Sequence, residues 1–177
     1  VAANSMLSLG AVVFDETGTE INSFYAKLRP ISGSTPDPST MEWWKKYPEQ
    51  WREANSGARD AELVMKEFYT WLKQLPAHPT IVAGPVLWDG GFVYWYLMRF
   101  AGASPFYHRG IDIATMEYAI FGGAYKHSST RSAAKALNLP KPTGVAHRAV
   151  DDARNQGHVF LALRKASLEL RTRATKP

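Results

Sequence analysis

The chain contains no cysteine. That excludes disulfides and thiolate metal sites, so a bound metal has only oxygen and imidazole donors available. Five histidines lie scattered rather than clustered, which argues against a zinc site. No apolar run approaches ~18 residues, so nothing reads as a membrane span. No signal-peptide pattern opens the sequence, and the expected address is cytoplasmic. Acid is scarce early: none precedes Asp15. The net charge of +5 and a pI near 9.5 suit a polyanionic partner without establishing one. Part of the basic excess sits in residues 171–177, which read as a solvated tail.

What is present suits one domain. The 177 residues, 45% hydrophobic, are enough for a proper core, and no repeat or interdomain linker interrupts residues 1–170. Residues 6–14 are short, apolar and β-branched toward their end, Asp15-Glu-Thr-Gly18 signals a turn, and Ile21 to Leu28 completes a β-hairpin. Prolines at 30, 36 and 38 mark a loop over 29–39, after which Thr40 caps a short helix from Met41 to Tyr47. The pair Trp43-Trp44 in that helix suits core or lid packing more readily than base stacking. Helical spacing of Leu63, Val64, Phe68, Trp71, Leu72 and Leu75 predicts an amphipathic helix over 60–75, stopped by Pro76. Thr80 to Leu87 reads as a buried strand, Phe92 to Phe100 as a helix ended by Gly102, and Ile113 to Ile120 as a helix capped by Asp112. Ser129 or Thr130 caps another through Leu137, and a final helix runs from about Ala149 to about Leu168. Hairpin, helices, strand and helices make an α/β arrangement with a mixed sheet.

Two acids stand where chemistry is plausible. His147 lies five residues before Asp152, at the entrance of the last helix. A carboxylate there can hold a divalent metal while the imidazole takes a proton from water. The plain alternative is a surface histidine and a helix-start acid favoured by the macrodipole. Asp89 follows a strand and opens a helix, where α/β sheets commonly place ligands. It reads either as a metal carboxylate, with Phe92 packed one turn on, or as an ordinary N-cap.

Taken together, His147-x4-Asp152-Ala-Arg154, Trp88-Asp89-x-x-Phe92 after a strand, and Leu7-Ser-Leu-Gly-Ala-Val-Val-Phe14 resemble the DnaQ-like 3′–5′ exonucleases. The likeness is to the histidine-containing DEDD branch, nearer to RNase T, oligoribonuclease and small exoribonuclease members than to proofreading subunits. It runs through essentially the whole chain in order. It implies a ribonuclease-H-like fold, a mixed sheet flanked by helices, and two divalent cations, Mg²⁺ or Mn²⁺. By this resemblance Asp89 and Asp152 are metal ligands and His147 is the general base. Asp151, about 100° round the helix from Asp152, is expected to point away from the metals.

The chain departs from the family at its first motif, Asp-x-Glu on the first strand. Asp15-Glu16 is a poor substitute, because adjacent strand residues face opposite sides and the pair falls in a hairpin turn. In this fold the first strand lies inside the sheet, and its neighbours would be left with unpaired backbone groups. The expectation is therefore a strand carrying Asp-x-Glu directly upstream of Val1.

The resemblance implies an exonuclease acting at the 3′ end of single-stranded nucleic acid, with RNA favoured over DNA. Trp88, Phe92 and Arg148 are candidate substrate contacts, with Trp43 and Trp44 further aromatic options. Two other readings stand beside it. One is an inactive relative, lacking the first carboxylate pair, that binds single strands with strong salt dependence. The other is an interaction protein whose aromatic surface serves a partner. A homodimer is compatible with each.

Overall fold

A computed structural model describes residues 4–174. The hairpin forms around its turn as expected: β1 (Ser8–Phe14) pairs antiparallel with β2 (Glu20–Lys27). Its turn is organised by Asp15, whose Oδ1 accepts from the Thr17 and Thr19 backbone N–H groups at 2.9 Å each. Asp15 is thus a turn residue.

The proline-rich loop ends earlier than its prolines suggest. Asp37, not Thr40, caps α1 (Pro38–Trp44), accepting from Thr40 N–H at 2.7 Å, and Pro38 takes the first helical position, where no N–H is needed. A second short helix, α2 (Pro48–Asn55), also begins on a proline; its apolar residues are too sparse to have announced it. The amphipathic helix α3 (Ala61–Lys73) appears as its spacing requires, capped by Asp60.

The stretch expected as one strand over 80–87 divides. Only β3 (Ile81–Ala83) is extended, and α4 (Val86–Phe100) begins directly after Pro85. A short apolar run does not separate strand from buried helix, and Pro85 breaks this one. Asp89 consequently sits inside the first turn of α4, not at its cap. A strand too short to show periodicity, β4 (Gly110–Asp112), runs parallel to β3. Asp112 then caps α5 (Ile113–Phe121), a 3-10 turn covers Tyr125–His127, and Ser129 caps α6 (Thr130–Ala136) with a capping box. The last helix, α7 (Ala149–Ala174), continues past Leu168, so residues 171–174 of the expected tail are helical.

The strands make two sheets, β1–β2 antiparallel and β3–β4 parallel, and among the described residues no ladder joins them. In place of the single mixed sheet expected from the sequence, the described residues form two small sheets. The larger core lies under the hairpin: Leu9 and Leu28 pack with Val64, Met65, Phe68 and Leu72 of α3 and Tyr96 and Leu97 of α4. A second core joins Ile113, Ala133, Val159 and Leu163 across α5, α6 and α7. Among the described residues no helix is long and apolar enough to cross a membrane.

Two glycines let α7 lie close against β1. A Cβ on Gly10 would fall 2.2 Å from the backbone of Ala149 and Val150, and one on Gly157 would fall 2.2 Å from the Phe14 ring. The start of α7, with Asp152 in its first turns, is therefore seated on the hairpin.

Candidate active site

The first turn of α4 carries Asp89, and α7 carries Asp152. One residue fixes the start of α4 on α5, and a second contact ties it to α7. Asp112 bonds both ways: its Oδ2 accepts from Val86 N–H at 2.9 Å, fixing α4, while its Oδ1 accepts from Thr115 N–H at 2.8 Å, capping α5. The Gly84 N–H donates to Gln156 Oε1 at 2.9 Å, tying the turn before α4 to α7. Gln156 follows Asp152 by four residues and so shares its helix face.

The two carboxylates interact. Asp89 reaches solvent, yet surrounding protein atoms withdraw water from its carboxyl and raise its pKa, and the Asp152 charge raises it further. Burial likewise raises Asp152, opposed by the His147 imidazole and by a hydrogen bond from the His147 backbone N–H. Two carboxyls held near each other, each made costlier to ionise, form an oxygen donor set suited in kind to a hard divalent cation. Mg²⁺ commonly takes only one or two carboxylates and completes its shell with water and phosphate. Among the described residues no group of three or more His, Asp or Glu side chains gathers around one metal position, so Asp89 and Asp152 are a partial ligand set.

His147 occupies the left-handed region, with φ 65°. Its ring sits between Trp43 and Tyr47, each centroid 4.7 Å away and each ring edge-on. Trp43 and Tyr47 also contact each other at 4.7 Å. Tyr47 is the residue that sequence reasoning passed over, and only its place directly before the proline that starts α2 marked it. Trp43 is packing, as its type suggested, but packing around a candidate base.

The segment leading to His147 is clamped by α7. Asn155 exchanges two hydrogen bonds with the Thr143 backbone, at 3.1 and 2.9 Å. Asp151 is buried and engaged there: it accepts from Val145 N–H at 3.0 Å and from Arg154 at 3.0 Å. Gly144, at φ 85°, packs against that carboxyl so closely that a Cβ would lie 2.5 Å from Asp151 Cγ.

The candidate substrate contacts fare unequally. Trp88 is exposed and edge-on to Phe92, with centroids 5.3 Å apart. Phe92 itself belongs to the hairpin core, only 9% exposed, so it stands behind Trp88 rather than open to a ligand. Arg148 lies over the Tyr25 ring at 4.9 Å, and its Nε is buried without a partner among the described residues. Tyr25 donates to Glu53, and burial with that neighbouring charge pushes its pKa up to about 12. Arg148, just before α7, thereby packs on β2 while its side chain stays partly exposed. Trp44 faces Trp51 on α2, 5.4 Å away, as part of the same aromatic packing.

A family model described as the Rv2179c-like 3′–5′ exoribonuclease domain matches residues 2–163. The 3′–5′ DNA exonuclease Cap18 of Escherichia coli is 26% identical over 163 residues, spanning 92% of this chain and 84% of that protein. Among solved structures, the nuclease domain of 3′hExo, a DEDDh family member bound to rAMP, superposes with a TM-score of 0.68 at 13% identity. That match covers 90% of this chain and 80% of the other. A full-length 3′-exonuclease gives 0.69 at 11% identity over 91% of this chain and 72% of its own. A 3′-exonuclease described in recognition of a histone mRNA stem-loop gives 0.64 at 9% identity, over 90% and 82%. At these identities the structural likeness is one of fold: the ribonuclease-H-like α/β arrangement of DEDDh exonucleases.

Proposed function

The chain belongs to the Rv2179c-like 3′–5′ exoribonuclease domain family, and from that premise we propose the chemistry of its site. Its substrate is the 3′ end of single-stranded nucleic acid, with RNA preferred to DNA and the cytoplasm as its place of action. Asp89 and Asp152 hold divalent cations, two in number, Mg²⁺ or Mn²⁺. When bound, such ions neutralise the charge of the scissile phosphate and of the departing 3′ oxygen. His147 takes the proton of the attacking water, and Trp43 and Tyr47 keep its ring from turning away. Trp88 offers a face to the terminal base, backed by Phe92. One observation carries the reading. Asp89 and Asp152, from helices far apart in sequence, lie closely enough for their charges to interact, and the His147 imidazole favours the charge of the second.

The test is incubation with 5′-labelled single-stranded RNA and Mn²⁺, beside a chelator control and a DNA strand of the same sequence. A ladder shortened from the 3′ end, lost with chelator, is the expected result. Faster loss of the DNA strand would move the preference to DNA, in line with the name of the Escherichia coli relative. Tight, salt-dependent binding without shortening would favour the inactive binder. We also propose a homodimer, supported by the exposed Leu87, Tyr94 and Met98 on one face of α4; a monomer mass in sedimentation would remove it.

A further inference from the structure

We propose that the α5–α6 face is a second contact surface for the single strand. There, bases upstream of the 3′ end stack on Tyr118 and Tyr125 while Lys126 and Arg131 take their phosphates. The inference rests on the exonuclease reading and extends it away from the scissile bond.

Three observations converge on this face. The first is aromatic: Tyr118 and Tyr125 meet edge-on with centroids 5.6 Å apart, yet remain 43% and 54% exposed. Tyrosines that contact each other and still present their faces to water offer what a stacked base requires. The second is charge. Between Glu117 and Asp151 the chain has no acidic residue, while Lys126, Arg131, Lys135 and Lys141 all fall there. Glu117 itself is buried and accepts from Ser129 N–H at 3.1 Å, so it does not offset them at the surface. Among the described residues neither Lys126 nor Arg131 forms an ion pair. Exposed cations without protein partners, interleaved with aromatic faces, are the footprint of a single-strand track.

The third observation is position. The Tyr125 hydroxyl lies 3.2 Å from Thr115 Oγ1, which donates to Asp112 Oδ1 at 3.0 Å; the other oxygen of Asp112 accepts from Val86 N–H, three residues before Asp89. On the same side, Thr130 packs so tightly on Gly84 that a Cβ there would lie 2.4 Å from its Oγ1. The platform is thus built onto the turn that holds Asp89.

The measurement is fluorescence anisotropy with the whole chain in chelator, so that no cleavage occurs, using 5′-labelled RNA of about 12 nucleotides and a labelled dinucleotide. Tyr118→Ala and Tyr125→Ala should each lower the ratio of long-strand to dinucleotide affinity about tenfold, the size expected for one lost stacking partner. Tyr125→Phe, which keeps the ring and loses only the hydroxyl, should restore most of that ratio. The double variant Lys126→Ala/Arg131→Ala should reduce the slope of log affinity on log salt by about 1.4, corresponding to two phosphate contacts on a single strand. Both side chains are exposed, so this variant decides the matter even if Tyr125→Ala fails to fold. Wild-type protein that binds the long strand, with variants that keep its ratio and salt slope, would overturn the platform and leave the exonuclease reading standing. A change in self-association without a change in strand binding would reassign the face to a protein partner and overturn the proposal. Wild-type protein that binds neither probe in chelator yet shortens RNA with Mn²⁺ would overturn the platform alone, and protein that does neither would remove both readings.

Discussion

Gly84 and Gln156 share a hydrogen bond of 2.9 Å that spans two separate parts of the chain. Gly84 precedes Asp89 on the turn into α4, and Gln156 lies one helical turn beyond Asp152. The bond therefore sets the distance between the two carboxylates without touching either. Gln156→Ala should leave the Gly84 N–H without its partner and cost about 1 kcal/mol of stability, read as a lower melting temperature. Cleavage should fall further than that loss explains, while strand affinity holds. Equal activity in a variant that melts lower would mean that the bond serves the fold alone.

Asp89 and Asp152 carry the clearest electrostatic cost in the site. Burial first, and for Asp89 then the neighbouring carboxylate, raises both above the ordinary carboxyl range. A native carboxyl that holds its proton more tightly than the unfolded chain does stabilises the fold at low pH. That contribution is lost as pH rises through the raised value. At neutral pH the ionised pair works against folding. Asp89→Asn should therefore abolish metal-dependent cleavage, down to the chelator control, while slightly raising the melting temperature. The gain should stay under about 1 kcal/mol, since solvent reaches Asp89 and screens the charge. It should fade in acid, as the wild-type carboxyl takes up its proton, and narrow with saturating Mg²⁺, which stabilises only the wild type. A variant that melts below wild type at neutral pH would show that the Asp89 charge has a favourable partner in the fold.

His147 holds a backbone conformation that suits glycine better, at φ 65°. Replacing it separates chemistry from folding. His147→Gly should fold at least as well as His147→Ala, and both should lose roughly 10²–10⁴ in rate, the usual size of a lost general base, with little change in strand affinity. Trp43 touches the same ring, so Trp43→Ala should lower kcat more than it raises KM, and Trp43→Phe should recover most of the loss. A His147→Gly enzyme with wild-type kcat would return this histidine to a surface role.

How much of this was legible depends on what each signal could carry. The hairpin, α3 and the capping roles of Asp112 and Ser129 followed from apolar runs around a turn signal, helical spacing and residue type, because those features are local. The start of α4 was misread by several residues, since Val82 to Leu87 is apolar throughout and such a run does not distinguish a strand from a buried helix. Asp89 was singled out as a candidate at the opening of its helix, whereas it lies within the first turn. Tyr47 and Gln156 were invisible because their roles exist only across the fold: one needs His147 beside it, the other Gly84. Phe92 and Arg148 were proposed as substrate contacts on residue type; Phe92 lies in the core, and Arg148 lies over the Tyr25 ring. The clamp of Asp151 on the loop before α7 also needed three dimensions, because its partner Val145 lies outside the helix.

Gly10 tests whether the site depends on how closely α7 approaches the hairpin. A Cβ at this position would come within 2.2 Å of the Ala149 carbonyl carbon and the Val150 nitrogen, both backbone atoms that no rotamer change can move aside. Either β1 or the first turn of α7 must shift, and that turn leads directly into Asp152. Gly10→Ala should cost roughly 1–3 kcal/mol, the range for overpacking a closed contact, measured by denaturant unfolding. It should also reduce cleavage beyond the fraction of protein unfolded, because α7 moves away from α4 and Asp152 goes with it. The contrast is Gly91, on the same α4 as Asp89, where an added Cβ would meet nothing within 4 Å. Gly91→Ala should be neutral or stabilising by up to about 1 kcal/mol, as expected for alanine replacing glycine inside a helix. If Gly10→Ala melts and cleaves like wild type, the α7–β1 contact is looser than its geometry indicates, and Asp152 is positioned by Gln156 and the His147 loop alone.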